Sequence, residues 1–436
     1  MEKDYGIPTV AMMTARFADY MKQDLKTHGM PQRLSFPPYP VVGMPDEVLK
    51  RYIEGDDPVT DVPLMQEVID GLTRPFTEDE REFVRESGVY PRLVPGDFED
   101  NLRELFENNG WSDGLPIILP TEERVAAMLK GTSHAPDEVV GEMSVTDSVN
   151  EQSYTVEKVA VNAVMAGAKP EHLPLLLALA ATRQPAFPSS TTSFGRMLVV
   201  NGPVRNELNM NSGVGALSPM NKSNSVIGRA WTLMTLNFGG TKVGETFMGS
   251  QGNNLNYNNM CVPENEERSV YEPFHVQKGF KNDESVVSIF TGWSVINSMG
   301  AINKRPPQDE TVILLKAFCG LRSAATLLLD PLVARNLKEF QGFETKQDYA
   351  KWLSENVRIP AGQYWGAEII SAFSLPLAQE GIEPYKTWLK LPPEELITPF
   401  NIPENINMVV VGGETNAFWK TTDFSYIMSA SVDEWR

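Results

Sequence analysis

The sequence predicts an α/β protein, with a mixed α+β arrangement as the alternative, on three observations. Short apolar runs of strand type, such as Met197 to Val200, Ser285 to Phe290 and Met408 to Val411, alternate with longer stretches of helical periodicity. Helix start and stop residues punctuate the chain: Thr77 and Thr121 ahead of acidic first turns, Gly29, Gly167 and Gly320 behind helices. The longest apolar run, Leu173 to Ala181, contains Pro174 and falls far short of the ~20 residues of a bilayer span.

Composition narrows the setting. The chain has 436 residues, 42% hydrophobic and 22% charged, with 38 basic and 57 acidic residues giving a net charge of −19. That balance, without a Lys/Arg run, disfavours nucleic acid and anionic membrane surfaces as partners. The two cysteines, Cys261 and Cys319, form no CxxC or zinc-type spacing, so no metal site is read and a reducing, cytoplasmic location is expected. The opening MEKDYGIPTVAMM lacks the apolar length of a secretion signal. Two domains are expected. Residues 1–95 read as a partial, Rossmann-like βαβ unit with a helical extension, and 96–436 as the main α/β domain carrying the site.

In chain order, residues 6–13 read as a strand. Ala15 to His28 is an amphipathic helix with Phe17, Tyr20, Met21 and Leu25 on one face, and Arg33 to Gly43 is extended. No Gly-rich turn joins the first strand and helix, so no dinucleotide fingerprint is present. Pro45 to Leu72 is one helix interrupted at Gly55-Asp56-Asp57-Pro58, and a further helix runs from Arg74 to Arg92. The Pro/Gly-punctuated stretch 91–98 marks the domain boundary. Next come a helix at Asn101 to Asn109, a turn-rich loop around Trp111, a short strand at Ile117 to Leu119, a helix opened by Thr121, and an extended piece at Glu138 to Met143. Two Ala/Leu-rich helices follow, Thr155 to Ala166 and Pro170 to Thr182. Beyond Phe290 the pattern gives a helix at Asp309 to Gly320, a helix or turn from Asp330-Pro331, and helices at Lys346 to Asn356, Tyr364 to Phe373 and Glu395 to Ile397. A strand then enters Gly412-Gly413. No repeat of fixed period is visible.

The stretch from Thr191 to Pro273 stands out. A strand breaks at Asn201-Gly202-Pro203, and two Gly/Asn-rich loops (209–224 and 239–259) bracket one apolar segment, Val226 to Phe238. Long loops held by apolar segments concentrate function. Asn211, Ser212, Gly213 and Gly215 suit an anion nest ahead of a helix whose N-cap would be Asn224, with Arg229 placed to pair with the same anion. Glu264 and Glu266 of an acidic cluster, and Glu272 with His275 in YEPFH, offer proton-transfer groups. Trp111 and Asp113 would wall and orient a substrate. Gly412 and Gly413 follow a strand, where α/β ligands collect. Each has a structural alternative: a plain Gly/Asn turn, a solvated acidic loop, a turn-capping histidine, an anchored aromatic. Cys261 sits near acidic residues, which oppose a reactive thiolate, and Cys319 reads as core.

The stretches NGWSDGLPIILPTEERVAAML, TVEKVAVNAVMAGAKPEHLPLLLALA, VVNGPVRNELNMNSGVGALSPMNKSNSVIGRA, ENEERSVYEPFHVQKGF and MVVVGGETNAFW occur in this order. Together they resemble the family of UGSC-type selenoproteins and their cysteine homologues, over most of residues 98–420. GIPTVAMMT matches the second half of that family's N-terminal domain. The family carries a Sec/Cys-Gly-Ser-Cys motif upstream of this strand, and the sequence holds none. Two expectations follow: a small partner subunit supplies the thiol or selenol, or the redox group is lost. The resemblance implies thiol-type redox or nucleophilic chemistry for the assembled complex. The reading is a large subunit of an oxidoreductase or lyase acting on a small anionic organic substrate. It forms a heteromer and, as a further option, a homo-oligomer. A stand-alone lyase or hydratase using the carboxylate/His set, and a non-catalytic binding or assembly subunit, are the alternatives.

Overall fold

The computed structural model describes residues 7–28, 32–41, 43–75, 77, 92–143, 152–257, 259–300 and 304–436. Gly29 and nearly all of the helix expected between Arg74 and Arg92 lie outside these residues.

The N-terminal unit starts with β1 (Val10–Met12), α1 (Ala18–His28) and β2 (Arg33–Ser35). The two strands pair in parallel, Val10 opposite Arg33 and Met12 opposite Ser35, as a βαβ connection requires. The expected long helix is two, α2 (Asp46–Glu54) and α3 (Leu64–Thr73), and the break spans 55–63. Asp57 accounts for it. Its fully buried carboxylate accepts the N–H groups of Phe36 (2.6 Å) and Val59 (2.7 Å), so the chain turns there to satisfy it. Gly71 sits where α3 crosses β1 and β2, against the side chains of Val10 and Arg33, and any side chain would part them.

The main body opens with α4 (Glu99–Asn108) and α5 (Glu122–Met128), the latter capped as expected by Thr121 Oγ1, which accepts the Arg124 N–H at 3.3 Å. The hairpin-like pair β3 (Val139–Met143) and β4 (Gln152–Thr155) leads into α6 (Val156–Ala166), which stops at Gly167 with φ +84°. Next is α7 (Leu173–Ala181), in which every residue from Leu173 to Ala180 is buried, so it is a central helix with no solvent face. The segment 117–119 is not a strand. Ile117 and Leu119 are buried against the helices, and the Ile118 N–H bonds to Met165 O, so apolar burial here serves a helix layer without sheet pairing.

The rest of the chain builds two sheets of matching design. The first half gives β5 (Gly195–Asn201), α8 (Val204–Glu207), α9 (Lys222–Gly239), β6 (Met260–Pro263), α10 (Phe274–Gln277), β7 (Val286–Gly292) and β8 (Val295–Asn297). The second half begins with α11 (Pro307–Leu315), β9 (Ala325–Leu329), α12 (Pro331–Glu339) and α13 (Lys346–Asn356). Then come β10 (Ile359–Pro360), α14 (Ala361–Gly366), α15 (Glu368–Gln379), α16 (Tyr385–Trp388) and β11 (Leu396–Ile397), and finally β12 (Ile406–Val410), β13 (Trp419–Thr422) and β14 (Ser425–Ser431). Of residues 395–397, expected to be helical, Leu396 and Ile397 instead pair with β10.

One sheet runs β14-β7-β5-β6 and the other β12-β9-β13-β8. Each has one parallel pair (β5 with β6, β9 with β12) and an antiparallel neighbour (β7, β13). Each half also gives its last strand to the other half's sheet: β8 pairs with β13, and β14 with β7. The halves are therefore topological equivalents with exchanged edge strands. The hydrophobic pattern fixes a four-layer stack. Leu198, Val200, Val287 and Ile289 face the helices α6, α7 and α9. Met197, Val199, Phe290, Leu328, Val409 and Phe424 meet between the sheets. Leu327, Leu329, Met408 and Val410 face α11, α12 and α13. Both faces of β5 and β9 are covered, which is why their runs are continuously apolar. Among the described residues no helix is long and apolar enough to cross a membrane.

Candidate functional site

Two pairs of parallel strands in two equivalent sheets bring four carboxyl ends to one region. β5 ends at Asn201, β6 runs into Glu264, β9 into Asp330, and β12 into Gly412. The Asn265 N–H donates to Val410 O at 2.7 Å and its side-chain amide to Gly412 O at 2.9 Å, so the two sheets are joined here. The Gly412 N–H in turn bonds to Ser212 O at 2.9 Å. Gly413 lies so close to Val214 that a Cβ would come 2.8 Å from the Val214 Cα. The Asn211–Gly215 loop, the acidic cluster and Gly412-Gly413 thus meet at one mouth, the position where ligands bind open α/β sheets.

Glu264 is its buried centre. Its side chain is fully enclosed and accepts from four donors: Asn201 Nδ2 (2.7 Å), the Phe274 N–H (2.6 Å), Lys346 Nζ (2.8 Å) and the Val410 N–H (3.2 Å). Burial pushes its carboxyl up, but the Lys346 charge and these donors outweigh that and hold it below the ordinary carboxylate range. Around it, Glu266 accepts from Asn201 Nδ2 (2.9 Å), the Gly202 N–H (2.9 Å) and Arg205 (2.8 Å). Arg205 also donates to Glu264 O (2.7 Å) and to both oxygens of Glu267 (3.1 Å each). The Arg205 hydrogen bonds bring the Glu267 carboxyl down to about 2. The second half mirrors this grip: Arg335 donates to Glu414 at 3.0 Å, and the Glu414 N–H to Asp330 at 3.1 Å.

The expected site residues divide into those the structure brings to the mouth and those it places elsewhere. Asn211, Ser212, Gly213 and Gly215 lie at the mouth. The Asn211 side chain accepts the Gly213 N–H (2.9 Å) and donates to Val214 O (2.9 Å) and Asn221 (2.8 Å), which shapes the loop. The helix N-cap is Asn221, three residues before the expected one. Asn224 instead clamps the Asn211 backbone through both ends of its amide, at 3.1 Å each. Arg229 is not available to an anion on that loop. It forms a two-point ion pair with Asp113 (2.8 and 2.9 Å) and also donates to Leu115 O and Pro116 O. With the Trp111 carbonyl accepting from Asn237, and the Trp111 ring edge-on to Phe106, these residues fasten the 109–116 loop to α9. Trp111, Asp113 and Arg229 are a structural staple because a desolvated arginine takes the nearest fixed carboxylate.

Glu272 and His275 do not form a pair. Glu272 is exposed, whereas His275 is fully buried on α10, and among the described residues neither ring nitrogen has a partner. Phe274, the neighbour of His275, donates its N–H to Glu264. Burial pushes the Cys261 thiol up, and Cys319 is half-buried at φ +56°. His172 is enclosed, within 3.2 Å of Ser223 Oγ, and burial lowers its basicity.

Sequence reasoning passed over Asn201, Arg205 and Lys346. The strand break at Asn201-Gly202-Pro203 was the available signal for the first two, since such breaks place side chains at a strand end. Lys346 is separated from Glu264 by 82 positions and carried no local signal. Among the described residues no group of three or more His, Cys, Asp or Glu side chains is placed to hold a metal ion. Fold and mouth together define a four-layer α/β protein with a candidate ligand site at the carboxyl ends of its parallel strands. No family model matches the chain, and no curated protein or solved structure matches it.

Proposed function

We propose that the chain is the large, substrate-holding subunit of a thiol- or selenol-assisted enzyme related to the UGSC-type proteins it resembles. The observation that carries the reading is the convergence of four parallel-strand carboxyl ends on one mouth, roofed by the Asn211–Gly215 loop. A small anion would sit on that loop. His275, whose ring nitrogens are free of partners, would hold or move a proton. Glu264 would support the mouth as a fixed charge, since Lys346 and its other donors favour its ionised form, and Glu266, gripped by Arg205, would help to shape it.

Three observations support a partner that brings the sulfur or selenium. The thiol of Cys261 is buried and disfavoured as a thiolate. Among the described residues the β1–β2 sheet has two strands, fewer than an independent sheet needs. The α3 helix beside it exposes Met65, Ile69 and Leu72 at helical spacing, an apolar stripe suited to cover by another chain. The test is co-expression with a short chain bearing a Cys- or Sec-Gly-Ser-Cys segment, followed by purification through a tag on the large chain. A stoichiometric complex is expected. A large chain that is monodisperse and catalytically active alone, with activity surviving thiol alkylation, would overturn the reading in favour of a stand-alone lyase. The enclosure of His275 and the commitment of Arg229 to Asp113 favour a second reading, a non-catalytic assembly subunit, which a complex without turnover on small organic acids would support.

A further inference from the structure

A different feature lies at the other end of β5. Arg196 is the strand's second residue and faces Thr291 of β7 across the ladder. It is five positions from Asn201, roughly 16 Å along an extended strand, so it is separate from the mouth. Only 5% of its surface is exposed, and among the described residues its Nε and Nη1 have no acceptor. Burial lowers the guanidinium most, and the positive charge of Arg322 adds to it. Together they bring it to about 10, so it stays charged at neutral pH.

A buried cation without a counter-charge is unfavourable, and buried donors are almost always satisfied. Here the second charge is of the same sign. Arg322 is exposed, with its guanidinium 5.3 Å over the Phe373 ring, so it is within reach of a ligand from solvent. The backbone that presents it is strained: Cys319, Arg322 and Ser323 all have positive φ, next to Gly320. That conformation is held by Asn405, which donates to Arg322 O (2.9 Å), and by Ser323 Oγ, which donates to Pro399 O (3.0 Å) and Asn401 (2.6 Å). Aromatic groups flank the place. Phe194, two residues before Arg196, packs against the Trp293 ring, with centroids 4.5 Å apart and planes tilted by 30°. Trp293 and Trp365 pack on the cluster containing Leu321, and Trp365 Nε1 is a further buried donor without an acceptor.

We propose that Arg196 and Arg322 form a second ligand site, at the amino end of β5, for a small oxyanion: phosphate, or the carboxylate of an organic acid. The anion would supply the acceptors that the buried guanidinium lacks. The site is independent of the mouth and of the function proposed for it.

The experiment titrates inorganic phosphate, acetate and benzoate separately into the full chain. Heat of binding and thermal midpoint are read, with sodium chloride at matched ionic strength as the control. At least one oxyanion is expected to bind saturably and to raise the midpoint. Preference for phosphate identifies a phosphoryl group, and preference for benzoate over acetate identifies an acid that uses the aromatic wall. Arg196→Met is expected to abolish the effect, and Arg322→Ala to weaken binding by about ten- to a hundredfold, the usual cost of a hydrogen bond to a charged group. The proposal fails if no oxyanion exceeds chloride, or if binding is unchanged in Arg322→Ala. The exposed position of Arg322 keeps the test decisive should Arg196→Met not fold. Binding that survives in both variants would place the anion elsewhere, for instance on the Asn211–Gly215 loop.

Discussion

At the scale of single residues, the acidic cluster shows how burial changes a side chain's role. Glu264 has the residue type of a general base, yet four donors, the Lys346 ammonium among them, leave it no free lone pair to act with. The ion pair with Lys346 is almost wholly desolvated, at 0% and 3% side-chain exposure. Removing one partner of such a pair strands the other charge. Glu264→Gln is therefore expected to lower stability by about 3–5 kcal/mol in urea titrations. The Gln amide would also oppose donors now aimed at a carboxylate. The double variant Glu264→Gln/Lys346→Met, which removes both charges, should recover a large part of that loss. If the double variant is no more stable than the single one, the pair is not the main term at this position. Glu267 is the contrasting case: Arg205 holds it at a low pKa, but more than half of its side chain is exposed, so solvent screening leaves it little weight in stability.

At the scale of elements, α13 carries Lys346 to the mouth, and its first turn is built for that task. Thr345 is the N-cap: its Oγ1 accepts the Asp348 N–H at 3.0 Å, and Asp348 accepts the Thr345 N–H and hydroxyl at 2.8 Å each. Lys346 is the next residue, so the capping box fixes the direction from which its ammonium enters. Thr345→Ala is expected to cost about 1 kcal/mol, with faster amide exchange at Asn265 and Val410, whose hydrogen bonds depend on Glu264 staying in place. A loss of stability confined to α13, with exchange at the mouth unaltered, would show that cap and site are not coupled. A comparable element-level device is Gly413, whose lack of a side chain lets the Asn211–Gly215 loop close on β12.

At the scale of the whole molecule, the exchange of β8 and β14 means that neither sheet is complete within its own half of the chain. The Phe424 turn reinforces this. Asp423 accepts the N–H groups of Trp293 and Ser294 at 2.9 Å, and Thr326 Oγ1 donates to Phe424 O at 2.8 Å. The residues from β5 to β14 should therefore unfold as one unit. Fluorescence of Trp231, buried in the helical layer of one half, and of Trp419, buried in the other, each read in a variant with the remaining tryptophans replaced, should give the same denaturant midpoint. Separated midpoints would show that the halves are autonomous and that the exchanged strands contribute little.

Much of the fold was legible from the sequence because the signals were local. Thr121 and Gly167 cap the helices they were expected to cap. The apolar runs at Met197, Val286 and Met408 are strands, and the mixed α/β class follows from their alternation with helices. Apolar runs without periodicity were where this reasoning failed. Ile117 and Leu119 are buried by helices, and Leu396–Ile397 form a strand through partners 36 and 38 positions away. The two-fold design was also invisible as a repeat. The equivalent strands keep their order and pairing but not their residues, and only traces such as Asn201-Gly202-Pro203 beside Asp330-Pro331, and Arg205-Asn206 beside Arg335-Asn336, remain. The sequence by itself determined which residues are chemically capable and which stretch carries them, because residue type and loop composition are local properties. Only the tertiary structure decided which of them meet. Arg229 is committed to Asp113, Glu264 to Lys346, and Arg196 is left without a partner, because ion pairing depends on distances across the fold that no local pattern encodes.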